Sequence, residues 1–409
     1  MSEWKKVKLK DCCHSISDGD HLPPPKSNSG VPFVTIANID ATNHIDFGNT
    51  MFVPLEYYNN LNDIRKAKCN DILYSVVGSF GKPVLIKENI PFAFQRHIAI
   101  LRPNNEIADS RFLYYVMLTR DFFMQADTVA IGAAQRTISL TALRNMEVKL
   151  PSMETQYRIA SILSRYDSLI ENYQKQIKLL EEAAQRLYKE WFVDLHFPGH
   201  ENAKIVDGVP EGWEKKTIDD VTCKVTTGLN PRKNFVLGKG SNYYVTIKNM
   251  ADNTLFLDDR CDRVDNEALE KINKRSDLKI GDILFSGIGT IGRVALVDIP
   301  TNNWNVSESV FTLRVNDIVT KEFLYLMLLS PDMQNYCQSN AHGAAQKGIR
   351  MADLKAYSFN LPPFGVIQKF TNLVTPTIKK VSSIRNQIRL LTEARDRLLP
   401  RLMNGEIAV

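Results

Sequence analysis

The amino-acid sequence repeats itself over most of its length, at a separation of 211 residues. VTIANI at Val34–Ile39 returns as VTIKNM at Val245–Met250, and NDILYSVVGSFGK at Asn70–Lys82 returns as GDILFSGIGTIGR at Gly281–Arg293. Shorter matches keep the same order, namely FLYYVML with FLYLMLL, GAAQR with GAAQK, VKLP with FNLP, and QIKLLEEA with QIRLLTEA. Because the repeating unit is roughly 200 residues long, the pattern indicates a duplicated domain rather than a solenoid of short repeats.

Each half predicts a mixed α/β domain followed by a long helix. Short β-rich runs such as PFVTIANI, DILYSVV and HIAILRP are separated by Gly, Asn, Asp and Pro clusters, and one amphipathic helix, SRFLYYVMLTRDFF, follows them. The expected boundaries are 1–151 for the first domain, 152–196 for a central long helix, 197–362 for a linker and the second domain, and 363–409 for a C-terminal long helix. The predicted fold class is therefore α+β.

The two long helices each carry an apolar stripe, with spacings that alternate between three and four residues and one stutter-like pair of fours. About 35 residues at a rise of 1.5 Å would make a rod of roughly 50 Å, and the stripe must be buried against something. Two equivalent helices in one chain favour antiparallel coiled-coil pairing, which would separate the two domains about a pseudo-twofold axis. Two unrelated core helices are the alternative. The expected pairing positions are Ile159, Ile162, Tyr166, Leu169, Tyr173, Ile177, Leu180, Leu187, Val381, Ile384, Ile388, Leu391, Leu398 and Leu402.

The start of the second long helix is ambiguous in the sequence. Thr375-Pro376 predicts either a cap with the first helical turn or a kink, just before the main apolar stretch. Both possibilities stay open at this point.

The composition limits the classes of protein to which this chain can belong. A content of 44% apolar and 24% charged residues is that of a globular protein, and 409 residues suit two domains. The N-terminus has no apolar signal segment, and no apolar run is long enough to span a membrane. Six cysteines occur without a CxxC pair, so we expect neither a disulfide framework nor a zinc site, and a reducing cytoplasm. A net charge of +5 permits an acidic partner such as nucleic acid without proving one.

Two segments resemble catalytic or cofactor-binding motifs, but neither fits its motif fully. GIGTIG at Gly287–Gly292 fits the dinucleotide fingerprint, but RVALV after it predicts a strand where a helix is required, so a β-hairpin turn is favoured. NLPPF at Asn360–Phe364 resembles a methyltransferase motif interrupted by Leu361, and we interpret it as an extended lead-in to the helix. We therefore expect no catalytic residue, no metal ligand and no cofactor in this chain.

Two loops that differ between the halves hold groups suited to DNA. TTGLNPRKNFVLGKG at Thr226–Gly240 is basic, whereas its counterpart SDGDHLPPPKSNSG at Ser17–Gly30 is acidic and rich in proline. Arg, Lys and Asn side chains can bond base edges or phosphates, although a solvated loop is an equally simple interpretation. One framework with two unlike loops is expected of a scaffold that carries two recognition surfaces. The candidate contacts are Lys26, Asn28, Arg232, Lys233, Asn234 and Lys239.

The GAAQ segments are instead alike in both halves, each followed by a basic residue, Arg136 or Lys347. A segment that reads sequence should differ between halves, so identity argues against base readout. A structural turn or domain–helix junction and a contact with the DNA backbone both remain possible.

The order of domain, helix, domain, helix resembles the specificity subunits of type I restriction-modification systems. The resemblance covers essentially the whole chain and lies in GAAQRTISLTALRNMEVKLPSMETQYRIASIL, ENYQKQIKLLEEAAQRLYKEWFVDLHF and GVPEGWEKKTIDDV, and in the second copy GAAQKGIRMADLKAYSFNLPPFGVIQKF and QIRLLTEARDRLLPRLMNGEI. It implies a noncatalytic subunit whose two target-recognition domains read the halves of a bipartite target in double-stranded DNA, at a distance that the helices set.

The resemblance also implies partners. Two methyltransferase subunits would dock on the helices and restriction subunits with motor and nuclease activity would join them, so that S-adenosylmethionine, ATP and Mg²⁺ belong to those partners. Two rival functions remain: a self-contained DNA methyltransferase or nuclease, and a coiled-coil scaffold that binds only protein.

Overall fold

The computed structural model describes residues 4–21, 23–40, 42–133, 135–251, 253–343 and 347–409. The chain divides into two compact units, and each unit takes a part of both long helices. The first unit comprises Met1–Asn172 and Ile388–Val409, and the second comprises Tyr173–Gln387. The four boundaries expected from the sequence stay a prediction, because this division falls within the helices rather than at their ends.

The first unit contains three sheets. The four-stranded sheet has the order Cys13–Asp18, Ile98–Pro103, Ile72–Ser75, Pro83–Leu85, all antiparallel. The three-stranded sheet has the order Met51–Val53, Val31–Val34, Ala93–Phe94, and the two-stranded sheet joins Lys5–Lys8 to Glu147–Leu150.

The second unit repeats this topology strand for strand. Its four-stranded sheet has the order Thr222–Thr227, Val310–Val315, Ile283–Ser286, Val294–Leu296. Its three-stranded sheet has the order Asp262–Val264, Asn242–Val245, Trp304–Val306, and Glu214–Thr217 pairs with Ser358–Leu361. Two small hairpins are additional, Ile205–Val206 with Val209–Pro210 and Met250–Ala251 with Thr254–Leu255. In both units the middle strand of the three-stranded sheet has one parallel and one antiparallel neighbour, so the duplication extends to strand direction.

Short helices cover these sheets. The α-helices of the first unit are Leu55–Asn60, Ser110–Met117, Arg120–Val129 and Leu140–Asn145, and those of the second are Pro231–Asn234, Asn266–Ser276, Lys321–Leu328, Pro331–Ser339 and Met351–Lys355. Single 3-10 turns lie at Leu9–Asp11, Ile36–Asn38, Asp63–Arg65, His200–Asn202 and Ile247–Asn249.

The single amphipathic helix predicted over SRFLYYVMLTRDFF is wrong, because two helices occupy this segment. Thr119 ends the first and caps the second, since its side chain accepts a hydrogen bond from the Phe122 backbone N–H. Ser330 caps the equivalent helix in the second unit in the same way, by accepting from the Met333 N–H. A side-chain oxygen that satisfies a free N–H begins a new helix even where the apolar period continues.

The repeated motifs prove to be local framework. In VTIANI and VTIKNM, Thr35 and Thr246 each form a capping box with Asn38 and Asn249, whose side chains accept from the threonine N–H at 2.9 Å in both units. This reciprocal bonding explains why Thr and Asn are retained at this spacing while Ala37 is replaced by Lys248 between them.

The interpretation of GIGTIG as a hairpin turn is confirmed. The segment joins the antiparallel strands Ile283–Ser286 and Val294–Leu296, and Gly289 and Gly292 have φ values of +86° and +88°. The left-handed region that these values occupy favours glycine. The extended lead-in predicted at NLPPF is also confirmed, because strand Ser358–Leu361 ends there and the C-terminal helix begins at Phe364.

A buried arginine–aspartate pair recurs at one end of each four-stranded sheet. Arg102 donates two hydrogen bonds to Asp71 at 3.1 and 2.9 Å, and Arg314 donates two to Asp282 at 2.7 and 2.8 Å. Asp71 and Asp282 are 2% and 1% exposed. Such a bidentate pair satisfies both charges in a buried place, and in both units it joins one central strand of the sheet to the residue that precedes the other central strand.

The central helix spans Met153–Phe192 and the C-terminal helix spans Phe364–Met403, 40 residues each. At 1.5 Å per residue each is about 60 Å long. The C-terminal helix runs through Thr375 and Pro376, so a start at that point is wrong, and the helix begins earlier because Ile367, Phe370 and Val374 continue its apolar stripe. No helix among the described residues combines the length and the apolarity needed to cross a bilayer.

The two long helices are antiparallel within each unit. In the first unit Arg395 bonds Asp167 at 2.7 Å, while Ile159 and Leu163 share a core cluster with Leu402. In the second unit the same order holds, because Arg385 bonds Glu181 at 2.6 Å and the Trp191 ring lies 5.7 Å from that of Phe370.

The predicted pairing positions are buried or partly buried, with one exception. Leu169 is 38% exposed, and its neighbour Ile170, at 8%, lies on the buried side instead. A helical turn takes about 3.6 residues, so the residue four positions after Tyr166 lies closer to the same face of the helix than the residue three positions after it. We therefore correct this position of the stripe from Leu169 to Ile170.

Candidate nucleic-acid interface

The loops predicted to contact DNA leave one end of the four-stranded sheet in each unit. In the first unit Asp18 pairs with Ala99 and Ser75 pairs with Ile98, so strands end or begin there together. The second unit has the same register, with Thr227 opposite Phe311 and Ser286 opposite Val310. We call this region the loop end; it consists of residues 19–21, 23–30, 76–82, 95–97, 131–133 and 135–137 in the first unit, and of residues 228–241, 287–293, 307–309, 342–343 and 347–348 in the second.

The GAAQ segments belong to the loop end in both units. Ile131 and Thr137 form an antiparallel bridge around the first segment, and the Gly78 N–H donates to the Arg136 carbonyl at 2.9 Å. In the second unit the Gly289 N–H donates to the Lys347 carbonyl at 2.8 Å. Ala134 and Ala344, Ala345 and Gln346 lie outside the described residues. Each segment is thus tied to the hairpin loop beside it, which supports the turn interpretation, and contact with the DNA backbone stays a prediction.

The basic residues that follow GAAQ have different surroundings. Arg136 forms an ion pair with Asp127, and its guanidinium lies 5.4 Å from the centre of the Phe80 ring. Lys347 is exposed, and its side chain makes no ion pair or hydrogen bond with any residue of the described segments. Gln338 stands where the first unit has Asp127, so the anionic partner is missing in the second copy. Arg136 therefore has a structural role that Lys347 does not share.

The basic loop of the second unit is held by a short helix. Asn230 caps helix Pro231–Asn234 by accepting from the Arg232 N–H at 2.9 Å, and Asn234 donates to the Asn230 carbonyl at 2.6 Å. The side chains of Arg232 and Lys233 are exposed, and they have no bonded partner among the described residues. The cations are thus presented to solvent from an ordered turn.

Glu308 supports this helix from the neighbouring turn. Its Oε1 accepts from the Asn230 amide at 2.7 Å, and its Oε2 lies 3.2 Å from the Tyr244 hydroxyl. Burial, and next the carboxylate of Glu308, raise the pKa of Tyr244 above its usual value, so the hydroxyl remains a donor. The Phe235 ring packs edge-on against Tyr244 at 5.5 Å, which closes the loop onto the sheet.

Lys239 lies further along the same loop, between two glycines. Gly238 and Gly240 have φ values of +83° and +80°, and a Cβ on Gly240 would lie 2.5 Å from the Val264 carbonyl oxygen. The exposed Lys239 is therefore carried on a tight turn that packs closely against the strand Asp262–Val264.

The loop of the first unit satisfies its own charges. The Tyr57 hydroxyl donates to Asp20 at 2.6 Å, and Arg65 lies 3.5 Å from Asp20 and 3.9 Å from Asp18. His21 lies 2.9 Å from the other oxygen of Asp18. Its acidic groups are thus occupied by neighbours within the same unit.

The predicted contacts of this loop, Lys26 and Asn28, are exposed, and neither side chain is bonded to a described residue. The Ser27 N–H between them donates to the Phe52 carbonyl at 2.9 Å, which ties this part of the loop to the three-stranded sheet. Both residues are therefore available to a ligand. Within the described ranges, no group of three His, Cys, Asp or Glu is arranged to hold a metal ion.

Two residues of the loop end were missed in the sequence, Arg96 and Glu308. They occupy equivalent turns, but they are 212 rather than 211 residues apart, since strand pairing shows one additional residue in the second copy before Trp304. Comparing the halves at a separation of 212 over this stretch would have shown the opposite charges.

A family model described as the type I restriction modification DNA specificity domain matches residues 1–182 and 210–388. The MjaIX specificity subunit of a type I restriction enzyme from Methanocaldococcus jannaschii is 28% identical over 305 residues, which cover 73% of this chain and 69% of that protein. The HindI specificity subunit from Haemophilus influenzae is 25% identical over 480 residues, and all of both chains is covered.

A solved structure has a similar fold. The S subunit of a type I restriction-modification system from M. genitalium superposes with a TM-score of 0.61 at 17% identity, covering 98% of this chain and 96% of that one. At this level of identity the likeness concerns the fold.

Proposed function

The chain belongs to the type I restriction-modification DNA specificity domain family, and from that premise we propose that it is the noncatalytic subunit that recognises a bipartite DNA target for such a system. Each loop end would read one half of the target. The observation that carries this proposal is the repeated framework with unlike loop ends: the strands, capping boxes and arginine–aspartate pairs recur, whereas Arg232 and Lys233 have no counterpart in the acidic first loop. One framework that presents two different charged surfaces suits a target with two different halves.

The long helices would separate the two recognition domains as a coiled coil. Recognition modules one turn of DNA apart lie about 34 Å from centre to centre, and a helix of about 60 Å is long enough to bridge that distance. The antiparallel order within each unit supports this part of the proposal.

The remaining parts of the complex follow from the family. Two methyltransferase subunits would dock on the helical region, and restriction subunits with motor and nuclease activity would join that core. S-adenosylmethionine, ATP and Mg²⁺ would act in those partners. The chain described here would set where methylation and restriction take place.

The test measures binding of the purified full chain to DNA duplexes with a randomised central segment, over a range of salt concentrations. We expect enrichment of two separated sequence blocks and an affinity that falls as salt rises, because contacts with phosphates release counterions. Binding that ignores both sequence and salt would support the protein-binding scaffold instead. Methylation or cleavage by the chain alone with S-adenosylmethionine or Mg²⁺ would support the enzyme.

Single substitutions separate the roles of the candidate residues. Arg232→Ala should cost about 1–3 kcal/mol at one position of one block if the guanidinium reads a base, and Lys233→Ala should weaken binding to all sequences and flatten the salt dependence if the ammonium contacts phosphate. Arg275→Ala is the matched control, since Arg275 is exposed near the opposite end of the same sheet. An Arg232→Ala chain with unchanged affinity and unchanged target would remove Arg232 from the interface.

A further inference from the structure

The turns Gln95–His97 and Ser307–Ser309 occupy the same place in the two loop ends. The Val76 N–H donates to the His97 carbonyl at 2.9 Å, and the Gly287 N–H donates to the Ser309 carbonyl at 2.9 Å. Each turn also closes on itself, from Ile98 N–H to Gln95 at 3.0 Å and from Val310 N–H to Ser307 at 3.3 Å. The central residues, Arg96 and Glu308, are therefore equivalent positions with opposite charge.

Glu308 bonds to its own unit. Its carboxylate accepts from Asn230 and lies within hydrogen-bond distance of Tyr244, so it is occupied in holding the basic loop. In the first unit Phe33 stands where the second has Tyr244, and it carries no hydroxyl group that a turn residue could bond.

Arg96 has no such partner. Its side chain is exposed and makes no hydrogen bond or ion pair with the described residues. The acidic groups of the neighbouring loop do not pair with Arg96. Asp18 and Asp20 are instead occupied by His21, Arg65 and Tyr57. A guanidinium is thus presented at the loop end with all of its donors available.

We propose that Arg96 reads a base edge, with guanine as the chemically matching base, in the half of the DNA target that the first unit contacts. This inference rests on the proposed function and names a residue for it. The guanidinium fork matches the O6 and N7 acceptors of guanine in the major groove.

Base readout is favoured over phosphate contact by the difference between the units. Both units would face the same sugar-phosphate backbone, so a phosphate contact gives no reason for the charge to differ between equivalent positions. A position that inverts its charge between two otherwise equivalent turns is one where the two halves of the target are told apart.

The experiment selects duplexes from a randomised library with four full-length chains: the wild type, Arg96→Ala, Arg96→Lys and Arg111→Ala. Arg111 is the control, a partly exposed arginine after strand Ile98–Pro103 whose guanidinium lies 3.5 Å from Asp109, so it is occupied within the protein where Arg96 is not. We expect both Arg96 variants to lose about tenfold of the preference at one position of one sequence block. The second block should stay unchanged in both, which also shows that the variants are folded, and Arg111→Ala should select the wild-type target.

Three outcomes would overturn the inference. If Arg96→Ala selects the wild-type target, Arg96 is only a solvated side chain. If Arg96→Lys keeps the full preference while Arg96→Ala weakens binding to all sequences, the residue contacts phosphate. If the wild-type chain selects no sequence at all, the proposed function itself fails, and that result is distinct from the other two because it precedes any substitution.

Discussion

The two loop ends distribute charge in opposite ways over the same backbone. In the first unit the long loop carries acids together with Lys26 and the turn carries a cation, Arg96, whereas in the second unit the long loop carries cations and the turn carries an acid, Glu308. The acids have local partners, whereas Arg96, Arg232 and Lys233 face solvent. Equivalent ends of two sheets can therefore present a basic surface from different segments, provided that the acidic side chains are bonded within the protein.

The opposite end of the same sheets shows no such divergence. Arg102 with Asp71 and Arg314 with Asp282 keep the same bidentate geometry, and in both units a second donor, the N–H of Lys68 or Lys279, bonds the aspartate. One end of each sheet is therefore framework and the other is variable. The four predictions below test this division.

The largest effect should come from the framework end. Asp282→Ala and Asp71→Ala each remove the bidentate carboxylate of an arginine and leave it only the more exposed Asp277 or Asp63, so each should lower the free energy of unfolding by about 2 kcal/mol, measured by urea titration of the full chain. Asp259→Ala is the control, because that carboxylate is fully exposed and should change stability by less than about 0.5 kcal/mol. A loss of less than about 1 kcal/mol in either unit would contradict a shared structural role.

A smaller effect is expected at the turn of the second unit. Glu308→Ala removes the acceptor of the Asn230 amide, while Tyr244 keeps its hydrogen bond to the Leu229 carbonyl, so the helix with Arg232 should be less ordered and DNA affinity should fall by about tenfold. Binding by the full chain measures this, and Glu308→Gln should recover part of the loss because its amide oxygen still accepts from Asn230. Equal affinities for Glu308→Ala and the wild type would show that the loop needs no such support.

Substitutions of the two basic residues after GAAQ should affect the free energy of unfolding differently. Arg136→Ala removes an ion pair with Asp127 and a contact with the Phe80 ring, so it should lower the free energy of unfolding by about 1 kcal/mol. Lys347→Ala should change stability by less than about 0.5 kcal/mol. Urea titration of the two variants decides, and equal losses in both would mean that the GAAQ segments have the same structural role.

The smallest effect concerns pH and is confined to the first unit. The hydrogen bond that His44 donates to the Glu171 carboxylate raises the pKa of His44, and the same bond together with Lys87 lowers the pKa of Glu171 to about 2. The contribution of His44 is present below its ordinary pKa and lost as pH rises through the raised value, whereas that of Glu171 is present above its ordinary pKa and lost as pH falls towards 2.

The equivalent positions in the second unit carry Leu255 and Ser382, so only the first unit should show this dependence. His44→Ala should reduce the loss of stability between pH 6 and pH 8, by less than about 1 kcal/mol because the pair is partly exposed. Hydrogen exchange, which follows the two units separately, is the measurement. An unaltered pH profile in the variant would show that His44 is not the titrating group.

Predictions from the sequence succeeded where local chemistry repeats. The strands within PFVTIANI, DILYSVV and HIAILRP are present, and the hairpin at GIGTIG followed from glycines and flanking β-rich runs. They failed where a single polar side chain interrupts a helix that the apolar period predicts to be continuous. Thr119 and Ser330 each cap a second helix within such a segment. In the central helix, Ile170 and not Leu169 occupies the buried position of the stripe.

The candidate site was predictable as loops but not as contacts. Lys26, Arg232, Lys233 and Lys239 were chosen because they lie in segments that differ between the halves, and their DNA contacts stay predictions. Arg96 was overlooked because its counterpart is displaced by one residue, which hides the inversion of charge.

The duplication and the framework are evident in the amino-acid sequence, because buried side chains, caps and turn glycines must meet the same packing and backbone requirements in both copies. Which charged residues are occupied within the protein, and which are free for a ligand, depends on the folded structure. Arg136 and Lys347 follow the same tetrapeptide, yet Asp127 and Phe80 hold the first and no described residue holds the second. Such pairing depends on side chains brought together from distant segments, and the order of residues along the chain does not record it.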